Sequence, residues 1–196
     1  AAFARFPLFF GPNRSWSPNI ERYFELFHNR AFQEAGRIAR AGTIVYRFPD
    51  EWTAHLDPVG DKPRPDGAPP DPDKDTWRPL RTFSASLDEQ GLTFFRGAIW
   101  YRHQFELPPA ARGAKTVRLW FGGLDSRTRV WLNGRDLGET RVGNFGTLEK
   151  DVTPALTADG PNTLLVAVDN TFPTELGTGG IVRPVVLYVP GPGPAD

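Results

Sequence analysis

Apolar and polar positions change rhythm once along this chain, near residue 42. From Pro18 to Ala41 the apolar residues Ile20, Tyr23, Phe24, Phe27, Ala31, Ala35 and Ile38 recur at roughly helical spacing, while Glu21, Arg22, Glu25, Arg30 and Glu34 fill the other side. A stripe of that period predicts a helix over about 18–41, starting at Pro18 or Asn19 and stopping at Gly42. Beyond it the period drops to two. Tyr101, His103, Phe105 and Leu107 alternate with Arg102, Gln104 and Glu106; Val117, Leu119 and Phe121 alternate with Thr116, Arg118 and Trp120. Val130 and Leu132 alternate with Arg129, Trp131 and Asn133, and Leu164, Val166 and Val168 with Leu165, Ala167 and Asp169. Successive side chains of a strand point to opposite faces, so each run predicts a strand whose apolar members share a core. Thr43–Phe48 and Val185–Val189 read as strands from their β-branched and aromatic content. Asn133-Gly134, between two such runs, predicts a tight hairpin, because a type I′ turn needs two consecutive positive φ angles.

These elements predict an all-β, antiparallel two-sheet sandwich over roughly 43–190 with one N-terminal flanking helix. The chain divides into an extension at 1–42 and a β module at 43–196. Residues 57–76, dense in Pro, Asp and Gly, predict a long surface loop. Within it Asp71-Pro72-Asp73-Lys74-Asp75 opens like a calcium-binding loop. The match then fails: position six is Thr76 rather than Gly and position twelve is Thr82 rather than Glu, which leaves a solvated turn.

Composition narrows the function classes. Lys plus Arg equals Asp plus Glu at 23 each, so there is no electrostatic footprint for nucleic acid or an anionic membrane. The apolar opening at 1–10 is short and broken by Arg5 and Pro7, which suits a segment packed on a neighbouring surface rather than a spanning helix or a signal peptide. Cysteine is absent, which excludes disulfides and thiolate chemistry and leaves the compartment open, an extracytoplasmic one included. Methionine is absent as well, as expected of a piece of something larger.

No motif for catalysis or for a cofactor or metal stands out. There is no G-x-S-x-G elbow, no H-E-x-x-H and no Gly-rich turn between strand and helix. His28 falls on the predicted helix, His55 in a loop and His103 on the apolar side of a strand; scattered in this way they read as packed or surface histidines. Two carboxylates at the right separation suffice for a glycosidase, but the abundant loop Asp residues are accounted for by turn chemistry. The tryptophans Trp16, Trp52, Trp77, Trp100, Trp120 and Trp131 are more suggestive, because indole stacks on the C–H face of a sugar ring. Trp100 and Trp120 lie inside strands, where packing is the expected role.

From Trp100-Tyr101-Arg102 onward the chain resembles the sugar-binding, galactose-binding-like domain of family 2 glycoside hydrolases. The matching pieces run in the family's order: Leu107-Pro108, Gly122-Gly123-Leu124-Asp125-Ser126, Val130-Trp131-Leu132-Asn133-Gly134, Gly143-Asn144-Phe145 and Asp151-Val152-Thr153. Asn162-Thr163-Leu164, Val166-Ala167-Val168-Asp169-Asn170 and Gly179-Gly180-Ile181-Val182-Arg183-Pro184-Val185 complete them. Upstream, Trp77-Arg78-Pro79-Leu80 and Asp88-Glu89-Gln90-Gly91 fit looser versions, although Leu87 stands where relatives often carry Trp. The resemblance implies a jelly roll of eight to ten strands. It does not imply catalysis, because the family's catalytic glutamates belong to a separate barrel, one of them in an Asn-Glu pair that this chain lacks.

The resulting expectation is a non-catalytic carbohydrate-binding or accessory module of a larger glycoside hydrolase-like enzyme. Its partners would be a carbohydrate and the parent's catalytic domain, without nucleic acid, membrane, metal or cofactor. A spacer or docking domain without sugar binding, or a module of a carbohydrate esterase, is the alternative; a stand-alone hydrolase would need a nucleophile or metal set that the motifs do not supply. Loops can present mixed polar and aromatic groups while strand faces are occupied by packing, so a sugar site belongs on loops at one end of the sandwich. The residues singled out are Arg127, Asn144, Asn170 and Glu175 for hydroxyls, with Phe145 as an apolar face.

Overall fold

The computed structural model describes residues 33–38, 40, 42–60, 68–125, 127–142, 146–171 and 178–191. The strands are β1 (Gly42–Arg47), β2 (Glu51–Pro58), β3 (Arg78–Arg81), β4 (Gly97–Glu106) and β5 (Arg118–Leu124), followed by β6 (Arg127–Leu132), β7 (Arg135–Arg141), β8 (Gly146–Asp151), β9 (Pro161–Asp169) and β10 (Val185–Pro190). They form a four-stranded sheet in the order β1-β10-β5-β8 and a six-stranded sheet in the order β3-β2-β4-β9-β6-β7. All strand pairs are antiparallel. The period-two runs therefore build the two-sheet sandwich they predict, over 42–190.

The core lies between the sheets. Tyr101, Phe105, Val117, Leu119, Val130, Leu132, Leu164, Val166 and Val168, the apolar members of the alternating runs, all belong to one buried cluster. The Asn133-Gly134 hairpin joins β6 to β7 with φ of 52° and 76°, the two positive angles such a turn demands. Asn133 does more than turn the chain. Its Nδ2 donates to Asn162 Oδ1 (2.8 Å) and to the Ala155 carbonyl (2.9 Å), and its Oδ1 accepts from Thr163 N–H (2.8 Å). Asn162 is fully buried, so these bonds offset the cost of removing its amide from water.

Four strands were not expected from the alternating runs: β2, whose Trp52 and Ala54 do alternate with exposed Glu51 and Thr53, and β3, β7 and β8. Strands β3, β7 and β8 lie at sheet edges, where little is buried and the side chains can stay polar. Strand β2 reaches Pro58, so the expected loop starts two residues later, and His55, expected in a loop, lies on this strand. Farther on, 71–75 is a turn as expected. The Asp71 side chain accepts Asp73 N–H (3.0 Å) and pairs with Lys74 (2.9 Å), while Asp75 accepts Asp71 N–H (2.6 Å).

Helix α1 (residues 33–38 and 40) precedes β1; residues 18–32 of the expected helix lie outside the described residues. Ala35 and Ile38 bury against Trp120, Val186 and Tyr188 on the outer face of the four-stranded sheet. This explains why β5 is buried on both faces, although its alternation pointed to one.

His103 lies on the inner side of β4, sharing a 3.2 Å hydrogen bond with the Tyr46 hydroxyl among the rings of Phe48 and Trp52. Desolvation holds its pKa below the usual histidine value of 6.5. In that pH range the folded chain therefore binds fewer protons than the unfolded chain, so stability is full above the ordinary value and is lost as pH falls from there through the lower folded value. Urea midpoints measured from about pH 8 to about pH 5 should fall across that window, and the slope should flatten in His103→Gln. At the centre of the core, Leu119→Ala should cost about 2–5 kcal/mol in chemical denaturation. A loss below about 0.5 kcal/mol, the size of a surface change, would mean that Leu119 does not lie in the core.

Candidate functional site

Strand register gathers one set of loop feet at one end of the sandwich. Arg127 at the start of β6 pairs with Arg141 at the end of β7 and with Asp169 at the end of β9. Leu124 at the end of β5 pairs with Gly146 at the start of β8 and bridges to Ile181. The connections after Leu124, Arg141 and Asp169, which carry the expected site residues, thus leave from the same end. The turn before β4 joins them, because Ala98 pairs with Asp169 and Gly97 with Pro58.

Under these loops lies a buried polar clasp. The Tyr101 phenol accepts a hydrogen bond from the Ile181 backbone, and its burial pushes the phenol pKa upward despite that donor. Gly180 lies directly on this hydroxyl at φ 74°; a Cβ there would collide with the phenol, and the left-handed backbone would be strained in any L-residue. Gly180 also accepts Asp125 N–H (3.0 Å), and Gly123 accepts Val182 N–H (3.0 Å). These contacts fix the path of 179–182 across the end of the sandwich.

Asn170, chosen from the sequence as a hydroxyl ligand, is 1% exposed. Its Nδ2 donates to the Phe95 carbonyl (3.3 Å), its N–H to the Gly97 carbonyl (2.7 Å), and its carboxamide packs against the Cα of Gly179. It sits in the foundation of the loops. Arg127 is exposed: its Nη2 donates to Asp169 Oδ2 (2.7 Å) and its Nε stands 3.8 Å from Glu139. Asp169, with the adjoining Glu139, raises the guanidinium pKa. Desolvation pushes the Asp169 carboxyl up, but bonds from the Thr171 hydroxyl, Arg127 and Thr171 N–H outweigh it, so its pKa lies below the ordinary range. Arg127 is thereby oriented on the rim while remaining open to solvent. Asn144, Phe145 and Glu175 lie outside the described residues.

Sequence reasoning passed over two residues at this end. Phe94 is 77% exposed and Val59 58%, the large hydrophobic residues most open to water among those described. Val59 N–H donates to the Arg96 carbonyl (2.8 Å), which sets it beside the turn carrying Phe94. A phenyl ring so far out of the core is a candidate for apolar contact with a ligand or a partner. No periodic pattern contains Phe94, so only its exposure reveals it.

The strand tryptophans behave as packing predicts. Trp100 stacks on Trp131 with centroids 5.3 Å apart and donates from Nε1 to Asp57 Oδ2 (2.9 Å). Trp120 lies under α1 with its Nε1 donating to Glu34 Oε2 (3.2 Å). Their faces are occupied by protein and offer no platform for a sugar. Among the described residues, no group of three or more His, Cys, Asp or Glu side chains is placed to hold a metal ion, and no helix is long and apolar enough to cross a membrane.

Comparison with known proteins places this architecture. The family model described as the glycosyl hydrolase 2 galactose-binding domain-like family matches residues 85–177. A β-galactosidase of Bacteroides ovatus is 39% identical over 99 residues, 49% of this chain and 11% of that protein. A β-glucuronidase of Formosa agariphila is 36% identical over 113 residues, 50% of this chain and 11% of its own length. The chain thus spans about a tenth of the curated relatives it matches. Among solved structures, a Faecalibacterium prausnitzii β-glucuronidase superposes with a TM-score of 0.59 at 24% identity, over 76% of this chain and 32% of that one, a likeness of fold. Residues 85–177, which run from ahead of β4 past β9, match the glycosyl hydrolase 2 galactose-binding domain-like family, and the two-sheet sandwich around them shares its fold with the solved β-glucuronidase.

Proposed function

We propose that the chain serves as a non-catalytic accessory module of a larger glycoside hydrolase-like protein, and that the loop end of its sandwich contacts a carbohydrate. The observation that carries this reading is the convergence of an oriented, exposed Arg127 and an exposed Phe94 on the end where the expected loops are rooted. Protein–sugar contact needs this combination: a polar donor fixed in direction and an apolar face open to water. In this reading Arg127 donates to hydroxyls and Phe94, with Phe145, covers the C–H face of a ring. Asn144 and Glu175 add polar contacts, and buried Asn170 acts through the loop it anchors. The module comprises the sandwich from about residue 43 onward, with 1–42 as an extension, and the parent's catalytic domain is its second partner. The names of the relatives, a β-galactosidase and a β-glucuronidase, make a galactoside and a glucuronide the first ligands to try.

An open rim makes a weak site. Calorimetric titration of the chain with methyl β-galactoside and methyl β-glucuronide should give an affinity of about millimolar, near 4 kcal/mol. Arg127→Ala and Phe94→Ala should each weaken it by about threefold or more while leaving the far-UV spectrum unchanged. No heat with either sugar would favour a spacer or docking domain, the reading that the exposed pair Phe94 and Val59 also suits. A folded Arg127→Ala/Glu175→Ala double variant that binds as tightly as the parent sequence would remove this end from consideration.

A further inference from the structure

The buried apolar residues fall into two clusters, one between the sheets and a smaller one outside the four-stranded sheet. The smaller one has two sides. The sheet supplies Trp120, Val186 and Tyr188, and α1 supplies Ala35 and Ile38, three residues apart and so on one helix face. Polar ties flank this contact. Trp120 Nε1–H donates to Glu34 Oε2 (3.2 Å), and Arg37 Nη2 donates to Glu149 Oε2 (3.0 Å).

Glu149 shows how the surface is prepared. Desolvation pushes its carboxyl upward, and donors from Tyr188, Arg118 and Arg37 bring the pKa below the ordinary value. Arg118 Nη1 (2.5 Å) and the Tyr188 hydroxyl (2.7 Å) belong to the sheet itself. The sheet therefore orients this carboxylate without the helix, and a carboxylate has acceptor capacity for a further cation. Arg37 fills it. Gly42 sets the approach: a Cβ there would lie 2.7 Å from the Val189 carbonyl oxygen and 2.9 Å from Tyr188 Cδ2. The same Cβ would lie 3.4 Å from the Ile38 carbonyl oxygen, so residue 42 stands where β10 and α1 meet.

We propose that the outer face of the four-stranded sheet is a preformed receptor for an amphipathic helix presenting Glu34, Ala35, Arg37 and Ile38, occupied in cis by the chain's own α1. The folded unit then begins at the helix, ahead of β1 and well ahead of the region matched by the family model. This inference is independent of whether the loop end binds sugar.

Amide hydrogen exchange on the full chain tests it, with Ile38→Asp to break the apolar contact and Arg37→Ala to remove the cation alone. In Ile38→Asp, residues 33–40 should exchange at least about tenfold faster while β4 and β9 keep their protection. In Arg37→Ala the same amides should exchange several-fold faster. A synthetic peptide covering residues 31–42 should bind Ile38→Asp, whose socket is vacated, and fail to bind the parent chain, whose socket is filled. Unchanged protection at 33–40 in both variants would overturn the proposal. So would loss of protection in β4 and β9 in Ile38→Asp, since the receptor would then not stand without its helix. Peptide binding equal in the variant and the parent chain, or absent from both, would also overturn it.

Discussion

The Tyr101 hydroxyl is buried at the end of the sandwich, and a hydroxyl removed from water must find a protein partner or cost several kcal/mol, about 2–7 by transfer measurements. It finds one in the Ile181 backbone. That bond decides where the chain runs as it leaves the six-stranded sheet at Asp169 and enters the four-stranded sheet at Val185. Because the phenol stands so close beneath the crossing, residue 180 must lack a Cβ. The crossing in turn supplies a carbonyl to Asp125 N–H and a bridge to Leu124, which fix the end of β5. The placement of the loop feet, and with it the candidate site, follows from satisfying one buried polar group.

The two ends of the sandwich use the same device for different purposes. At the far end, Asn133 donates to the Asn162 carboxamide and accepts from Thr163 N–H, which ties the β6–β7 hairpin to the start of β9. Nothing large and apolar projects there among the exposed residues, and the polar groups are consumed internally. At the near end the Tyr101 hydroxyl and the Asn170 N–H groups are consumed, Thr128 Oγ1 and Asn170 Oδ1 are buried without a hydrogen-bond partner among the described residues, and Arg127, held by Asp169, and Phe94 stand exposed on the rim. A rigid base under an exposed, chemically mixed rim is the arrangement in which loops can carry binding without loosening the core.

The two sheets also differ in what covers their outer faces. The six-stranded sheet covers its own with stacked Trp100 and Trp131 and with Arg129 over the Trp131 ring. The four-stranded sheet exposes Trp120, Val186 and Tyr188 to whatever lies over them, and α1 does so. A strand buried on both faces by two different partners, as β5 is, couples the helix to the main core through a single layer of backbone.

Much of this was written in the sequence. Alternation named the inward residues of β4, β5, β6 and β9 because period two is a local property of strand geometry, and Asn133-Gly134 named its hairpin because few residue pairs tolerate two positive φ angles. The order of short motifs from Trp100 to Val185 carried the family resemblance, and the family match falls on 85–177. What the sequence could not decide was everything that depends on a partner distant along the chain. Edge strands β3, β7 and β8 show no pattern because their stability comes from pairing rather than from an apolar face. Asn170 looked like a ligand from its type and loop position, and only the contacts with Phe95, Gly97 and Gly179 put it in the foundation instead. Phe94 gave no signal at all, since exposure is a property of the packed whole. The second face of Trp120 belonged to a helix more than eighty residues away, as its bond to Glu34 shows. Local periodicity determined which residues point inward; the tertiary structure decided which polar groups are consumed and which remain free to act.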